Sequence, residues 1–306
     1  MRTRFLQHLV MAAAATLAGT ASAETLFGVG AVGSLVKLDT TRPGAALTVV
    51  ANNFLPDSSI TFGPDGFLYG FDLSSRVQRL DLATGERRLI SGLFAPTGDI
   101  TFGPDGRLYG LTSANTILSL DIASQQTTLV ASNIAARGDL RFGPDGRLYT
   151  TDTAFDLVRL TRAGQAWTRQ SIERHMGTSG GLTFAPDGSL YAIDDRSLLI
   201  TFNPRTGFLD RLNFPVQWGS GDLQIGSDGL IYGFDLSGRV QRMNLTTGAR
   251  SIIGSGMSGN ADLAFQPSAP VPEPASALLL LLGLPALAWR HLRRSKADAE
   301  PGRPIR

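Results

Sequence analysis

The chain contains no cysteine, which excludes disulfide scaffolds, thiolate metal sites and thiol nucleophiles. Histidine is almost as scarce. Of the three histidines, His8 and His291 lie in terminal segments, and only His175 lies in the body of the chain. A multi-histidine metal site within one chain is therefore excluded, and a Ser-His-Asp mechanism would depend on His175 alone.

The remaining composition is that of a folded chain. Hydrophobic residues make up 42% and charged residues 18% of the 306 positions, which is typical of a globular protein. Glycine is abundant, at 35 residues. Many glycines provide many tight turns, and this favours an all-β fold.

The first 23 residues have the pattern of a secretory signal peptide. Arg2 and Arg4 precede an apolar stretch, and Ala21-Ser22-Ala23 ends it with the small residues of a cleavage site. We therefore predict export across the inner membrane, with cleavage after Ala23.

The C-terminal end carries a second targeting pattern. Pro272, Glu273 and Pro274 precede an apolar run over 275–289, and a basic tail over 290–306 follows. Fifteen uncharged residues are short of the roughly 20 that span a membrane, although snorkelling arginines compensate for such a mismatch. The basic cluster, Arg290, Arg293 and Arg294, is expected on the cytoplasmic side.

This order of Pro-Glu-Pro, apolar segment and arginine cluster resembles the PEP-CTERM sorting signal of exported proteins from Gram-negative bacteria that make extracellular polysaccharide. The resemblance implies an exosortase-type enzyme as a partner, which removes the apolar segment near Pro-Glu-Pro. The chain departs from the pattern in its longer tail, "SKADAEPGRPIR". The alternative is a plain membrane anchor.

The charge of the body differs from that of the whole chain. Between residues 24 and 270 there are 20 basic and 23 acidic residues, a net charge of −3, whereas the whole chain carries +2. The excess of basic residues thus belongs to the targeting segments. A nucleic-acid partner is not expected.

A short motif recurs along the body. "FGPDG" begins at Phe62, Phe102 and Phe142, "FAPDG" at Phe184 and "IGSDG" at Ile225, and Phe265 of a truncated "AFQPS" holds the same place. The period is about 40 residues, and each unit divides into four strand-sized pieces separated by turn residues. Such repeats are typical of a β-propeller.

The number of units predicts how the ring closes. Residues from Thr25 onward match the last three strands of a unit, and "ADLAFQ" over 261–266 matches a first strand without successors. We therefore predict an all-β, six-bladed propeller over residues 24–267, closed by strands from both ends of the chain. A linker over 268–274 follows, and the body is expected to be monomeric.

Four aspartates recur three positions before the aligned motif residue, where Ser59 and Gly181 stand in the other two units. First strands line a propeller axis, so these side chains are expected around one mouth of the channel. They are Asp99, Asp139, Asp222 and Asp262. A carboxylate ring suits a hard cation such as Ca²⁺. The alternative, which we favour, is that each aspartate binds backbone amides in the loop entering its own blade, and no cofactor is then expected.

A second set of aspartates follows the second strands, and turn capping is the favoured interpretation. The set consists of Asp72, Asp152, Asp194 or Asp195, and Asp235.

The irregular loops between blades supply a third candidate site. Arg174, His175 and an exposed Trp218 on adjacent loops would suit a carbohydrate or peptide, with packing between blades as the alternative.

The sequence thus predicts an exported, surface- or matrix-associated propeller that acts as a non-catalytic binding or structural protein. Its expected partners are polysaccharide or another surface protein, and the membrane through the C-terminal helix before processing. The alternative is a metal-dependent hydrolase of the lactonase-like propeller type, since such propellers use a channel metal held by carboxylates.

Overall fold

The computed structural model describes residues 24–267 except 43, 45, 57, 97, 135–138, 155, 165, 175–180, 195–197, 216–217, 219–221, 236 and 259–261. These residues form six four-stranded antiparallel sheets. The predicted six-bladed propeller of four-stranded blades is therefore confirmed. The predicted signal peptide, Pro-Glu-Pro linker, hydrophobic helix and basic tail lie outside the described residues.

The strands follow the repeat, and we number the blades in chain order. Blade 1 contains β1 (Thr25–Val29), β2 (Leu35–Asp39) and β3 (Thr48–Ala51). Blade 2 contains β4 (Ile60–Phe62), β5 (Leu68–Phe71), β6 (Val77–Leu80) and β7 (Arg87–Ser91). Blade 3 contains β8 (Ile100–Phe102), β9 (Leu108–Leu111), β10 (Thr116–Leu120) and β11 (Thr127–Ser132).

The second half of the ring repeats this order. Blade 4 contains β12 (Arg141–Phe142), β13 (Leu148–Thr151), β14 (Leu157–Ala163) and β15 (Ala166–Glu173). Blade 5 contains β16 (Leu182–Phe184), β17 (Leu190–Ile193), β18 (Leu198–Phe202) and β19 (Leu209–Pro215). Blade 6 contains β20 (Gln224–Ile225), β21 (Leu230–Phe234), β22 (Arg239–Asn244) and β23 (Arg250–Ser255). The last strand of the chain, β24 (Leu263–Phe265), belongs to the sheet of blade 1.

The ring is closed by the two ends of the body, as predicted. Strand β24 pairs antiparallel with β1, so that Leu26 faces Phe265 and Gly28 faces Leu263. The first strands of the six blades contact one another in series, from β24 through β4, β8, β12, β16 and β20 back to β24. They therefore surround the axis of the propeller.

By its contacts the chain divides into two units, Met1–Gln266 and Pro267–Arg306. All described residues except Pro267 belong to the first unit. No helix long and apolar enough to cross a membrane occurs in the part of the chain that the structure describes.

The Pro-Asp-Gly motif forms the hairpin between the first and second strands. In blade 2, Gly66 has a φ of 79°, a left-handed conformation that glycine adopts without steric cost. The Asp65 carboxylate accepts the backbone N–H of Phe67 at 3.3 Å and the Tyr69 hydroxyl at 2.8 Å. The motif therefore both turns the chain and fixes the tyrosine of the next strand.

The hydrophobic core is distributed between blades. Six clusters of buried side chains lie between neighbouring blades, one at each junction of the ring. A repeated aromatic pair fixes most junctions, because the second-strand tyrosine meets the first-strand phenylalanine of the next blade edge to face. Tyr69 and Phe102 have ring centroids 4.9 Å apart, and Tyr149 and Phe184 5.0 Å apart. The recurring aromatic residues therefore have a packing role.

Candidate functional site

The predicted aspartate ring forms. Asp99, Asp139, Asp222 and Asp262 each stand just before a first strand, and all four are buried. Three of them accept a backbone N–H from a residue in, or directly before, the first strand of the next blade, and Ser59 does the same in blade 2. The donors are Leu140 to Asp99 at 2.8 Å, Leu182 to Asp139 at 2.7 Å, Leu263 to Asp222 at 3.3 Å, and Ile100 to Ser59 at 3.1 Å.

These hydrogen bonds correct the favoured expectation in one respect. Each aspartate was expected to bind amides of its own blade, and Asp222 does accept the N–H of Leu223 at 2.6 Å. The repeated contact nevertheless crosses to the neighbouring blade. It crosses because the loop before a first strand lies beside the start of the next first strand around the axis. The ring of aspartates therefore joins blades to one another.

Gly181 explains why blade 5 lacks the repeated aspartate. A Cβ atom at this position would lie 2.3 Å from the Leu223 nitrogen and 2.7 Å from the Asp222 carbonyl carbon. The backbone of blade 6 thus occupies the space that a side chain would need.

Arg141, on β12, was not predicted as a site residue and lies among these carboxylates. Its Nη1 contacts Asp99 Oδ2, and its Nη2 lies 2.6 Å from Asp222 Oδ1. The side chains of Asp99 and Asp222 are 3% and 0% exposed, and that of Arg141 is 15% exposed. One guanidinium therefore links blades 3, 4 and 6 in a buried ion-pair network.

The sequence did contain a signal for Arg141. The equivalent position is Thr61, Thr101 and Thr183 in three other blades, and Gln224 and Ala264 in the remaining two. Arg141 is thus the one charged residue at this position of the repeat, and it stands two positions after one of the four recurring aspartates.

The ring contains more carboxyl groups than one arginine can neutralise. Burial, and after it the Asp222 carboxylate, raise the pKa of Asp139 well above its usual range. Burial, and after it the Asp99 carboxylate, raise the pKa of Asp262 in the same way. Burial also raises the pKa of Asp222, although Arg141 opposes this shift. Asp139 and Asp262 therefore favour their protonated, neutral forms.

Two buried polar atoms in this cluster have no hydrogen-bond partner among the described residues. They are Asp262 Oδ2 and Arg141 Nε. An unpaired buried carboxylate oxygen is unfavourable, which agrees with the raised pKa of Asp262. The ionised form of Asp262, the blade 1 member of the cluster, therefore destabilises the folded state.

The chemistry of the cluster differs from that of a calcium site. Ca²⁺ requires six to eight oxygen ligands around one ion, whereas here the protein's own guanidinium lies between the carboxylates. Within the described residues, no group of three or more His, Asp or Glu side chains is arranged to hold a metal ion. The arrangement is suited to joining blades and to holding protons.

The aspartates after the second strands cap turns. Asp72 accepts the backbone N–H groups of Ser74 and Arg76, each at 2.9 Å, and its second oxygen binds the Arg76 guanidinium at 2.8 Å. Burial acts to raise the pKa of Asp72, but the Arg76 hydrogen bonds outweigh it and the pKa is lowered. Asp235 repeats this arrangement with Ser237 and Arg239.

Asp152 and Asp194 belong to the same set. Asp152 accepts the N–H of Ala154 at 2.8 Å and pairs with Arg169, and Asp194 accepts the N–H of Leu198 at 2.9 Å. Asp195 lies outside the described residues. The favoured interpretation of this set, turn capping, is confirmed for the four aspartates that the structure describes.

Trp218 was expected to be exposed, and this expectation is wrong. Its side chain is buried, its backbone forms an isolated β-bridge with Asp235, and its ring covers Gly233 of β21. Phe54 covers Gly70 and Phe94 covers Gly110 in the same way. Trp218 is therefore the blade 6 member of a repeated packing position.

The remaining predicted site residues do not form a described site. Arg174 is exposed after β15, and neighbouring Glu173 lies 4.0 Å from Arg211. His175 lies outside the described residues, as do the predicted processing residues Ala23, Pro272, Glu273, Pro274, Arg290, Arg293 and Arg294. The predicted carbohydrate or peptide patch thus loses Trp218 as an exposed aromatic surface.

Comparisons with known proteins agree with the fold. No protein-family model and no curated protein matches the chain. TolB from Acinetobacter baumannii superposes with a TM-score of 0.63 at 18% identity, over 82% of this chain and 68% of that one. A gluconolactonase from Xanthomonas campestris superposes with a TM-score of 0.55 at 19% identity, over 75% of this chain and 88% of that one.

Virginiamycin B lyase from Staphylococcus aureus gives a TM-score of 0.50 at 15% identity, over 64% of this chain and 69% of that one. At such identities the similarity concerns architecture, and a propeller hosts many unrelated activities. The comparisons therefore show that this chain is similar in fold to these three proteins.

Proposed function

We propose that the chain is an exported β-propeller that acts as a non-catalytic binding or structural protein at the cell surface or in an extracellular matrix. The N-terminal signal peptide directs it across the inner membrane, and the PEP-CTERM-like tail anchors it until an exosortase-type enzyme processes it. Its partners in this proposal are a polysaccharide or another surface protein.

Arg141 is the observation that carries the non-catalytic part of the proposal. The competing hypothesis, a lactonase-like hydrolase, needs a metal held by carboxylates at the channel. Here the Arg141 guanidinium contacts Asp99 and Asp222, and burial favours protonated Asp139 and Asp262. Positive charge and protons from the protein itself thus balance the carboxylates that a catalytic metal would use.

The distribution of the other aspartates supports the same conclusion. Asp72, Asp152 and Asp235 each accept two backbone N–H groups of their own turn and pair with an arginine. Groups engaged in this way stabilise loops, and a recurring aspartate in a recurring turn has a recurring structural role.

A thermal melt of the full-length protein tests this function. A ligand that binds only the native state raises the melting temperature. We expect the same melting temperature with Ca²⁺, Zn²⁺ or EDTA, and no hydrolysis of gluconolactone, with a known lactonase as the positive control for the assay. A clear loss of stability in EDTA together with metal-dependent lactone hydrolysis would establish the hydrolase instead.

Mass spectrometry tests the sorting part separately. Protein isolated from the native host is expected to begin at Glu24 and to lack the residues beyond Pro-Glu-Pro. An intact C terminus retained in the inner membrane would identify the tail as an ordinary anchor. A matched variant, Glu273→Gln, should slow processing without changing the melting temperature, because position 273 lies outside the propeller.

A further inference from the structure

The end of the ring that carries the Pro-Asp-Gly turns has clefts between neighbouring blades. The larger of the two described here, the blade 2–3 cleft, has a volume of about 390 Å³ and lies between the turn at Asp65 and the turn at Asp105. Arg88, Arg107 and Asp121 complete its polar lining. Ligand pockets usually measure about 300–1,000 Å³, so this cleft has room for a small ligand.

The aromatic side of this cleft is rigid. The rings of Tyr69 and Phe102 meet edge to face, with centroids 4.9 Å apart, and both residues line the cleft together with Pro64 and Ile122. The Tyr69 hydroxyl donates to Asp65 at 2.8 Å. Burial, and after it this carboxylate, raise the pKa of Tyr69, so the hydroxyl stays protonated at physiological pH and keeps the Asp65 carboxylate in place at the edge of the cleft.

The polar groups of the cleft retain hydrogen-bonding capacity. A carboxylate offers about four lone-pair sites. Asp121 uses one oxygen for the N–H groups of Ala123 and Ser124, and its second oxygen lies 3.6 Å from Arg107 Nη1. Within the described part of the chain, the exposed Arg88 guanidinium has no hydrogen bond or ion pair. Acceptors and an unpaired donor therefore face the same space.

The same architecture recurs two blades further around the ring. A cleft of about 290 Å³ lies between blades 4 and 5, lined by the equivalent turn residues Pro144, Asp145 and Gly188 and by Arg205. At the junction between these two clefts, Arg162 Nη1 crosses from blade 4 to Asp105 Oδ2 of blade 3 at 2.9 Å. The two clefts are thus built by equivalent turns of the repeat.

We propose that the blade 2–3 cleft binds a neutral sugar ring. Sugar hydroxyls both donate and accept, and they match three carboxylates and two guanidinium groups beside the half-buried Phe102 ring, which the buried Tyr69 supports from beneath. The carboxylates are Asp65, Asp105 and Asp121. Because Arg162 pairs with Asp105, three guanidinium groups balance the three carboxylates, and the cleft has no net positive charge with which to attract anionic ligands such as uronates or phosphates. This inference rests on the proposed function and names a ligand class and a site for it.

Isothermal titration of the full-length protein with neutral oligosaccharides tests the site, using cellohexaose, maltohexaose and mannohexaose, with oligoglucuronate as the charged comparison. We expect at least one neutral probe to bind with a Kd of about 1 mM or tighter. Arg88→Ala should weaken this binding at least fivefold, and Ala123→Trp should abolish it by filling the cleft. Arg42→Ala, a change at a side chain that is 80% exposed on blade 1, should leave it unchanged.

Two results would overturn the inference. One is no binding of any neutral probe up to about 10 mM. The other is binding that persists unchanged in both Arg88→Ala and Ala123→Trp, or that is stronger for oligoglucuronate. Melting temperatures of all variants should match the parent, because both positions are exposed. Failure here leaves the metal and processing tests of the proposed function unaffected, so the two failures are distinguishable.

Discussion

Replacing Arg141 by threonine tests the axial network directly. Threonine occupies the equivalent position in blades 2, 3 and 5, so the variant restores the residue of the repeat and is compatible with a first strand. It leaves the Asp99 and Asp222 carboxylates, 3% and 0% exposed, without their guanidinium partner. Both keep hydrogen bonds, from Ser59 at 2.6 Å to Asp99 and from Gln224 at 2.7 Å to Asp222.

Breaking a buried ion pair by removing one partner costs about 3–5 kcal/mol. For a domain of this size, each kcal/mol lowers the melting temperature by about 2–4 °C, so we expect a decrease of about 6–20 °C at about pH 7.5. At about pH 4 the decrease should be smaller, because burial raises the pKa of Asp222 and protonation of Asp222 removes its unpaired charge. Circular dichroism or calorimetry measures both values.

The control is Arg42→Thr. Its side chain is 80% exposed, and its ion pair with Asp39 has a distance of 3.6 Å, so the expected change is within about 0.5 kcal/mol. If the free energy of unfolding of Arg141→Thr lies within about 1 kcal/mol of the parent value at about pH 7.5, Arg141 does not stabilise the ring as proposed. An equal loss at both pH values would also refute this role, because a purely steric effect would not depend on protonation.

Two further substitutions probe the same ring. Because the folded pKa of Asp262 is raised well above the usual 3.8, its carboxyl destabilises the fold increasingly as pH rises above about 4. The free energy of unfolding of Asp262→Asn should therefore match that of the parent at about pH 4 and exceed it by about 1–3 kcal/mol at about pH 8. If this difference in unfolding free energy becomes smaller as pH rises, the assignment of a raised pKa to Asp262 is wrong. Gly181→Ala should cost about 1–3 kcal/mol or more, because its Cβ would lie 2.3 Å from the Leu223 nitrogen. Gly92→Ala, which meets only an Arg76 atom at 3.8 Å, should change stability by less than about 0.5 kcal/mol, and equal losses in the two glycine variants would show that the close approach is unimportant.

The architecture was predictable because each repeat unit contains the sequence features that determine its own turns and strands. The Pro-Asp-Gly turn, the alternation of the strands and the interval of about 40 residues are all visible in the chain. The closing strand was predictable for the same reason, since 261–266 resembles a first strand with no partner. These features follow from local turn and strand propensities and from the number of repeat units. Predicting them requires no knowledge of which residues contact one another in the folded structure.

The site was only partly predictable, because its members meet through the axis. Asp99, Asp139, Asp222 and Asp262 share a register position, so their convergence followed from the fold. Their hydrogen bonds to the next blade did not, since these depend on how closely neighbouring first strands approach. Trp218 was misjudged for a related reason, because a loop tryptophan looks exposed until a glycine in the strand beneath it provides a place for the ring.

The position of Asp262 connects the charge of the ring with its closure. Asp262 directly precedes β24, the strand that joins the C-terminal end of the body to β1. Its carboxyl keeps one oxygen without a partner among the described residues, and its pKa is raised by burial and by the other carboxylates. A proton on Asp262 therefore stabilises the closed ring, while ionisation weakens it at the blade where the two chain ends meet. Since the propeller core is divided among six junctions, loosening this one junction affects the closing strand first. The native state should thus open at blade 1 before the other blades as pH rises, and hydrogen exchange of the β24 and β1 amides at about pH 6 and about pH 9, corrected for intrinsic rates, would measure this order.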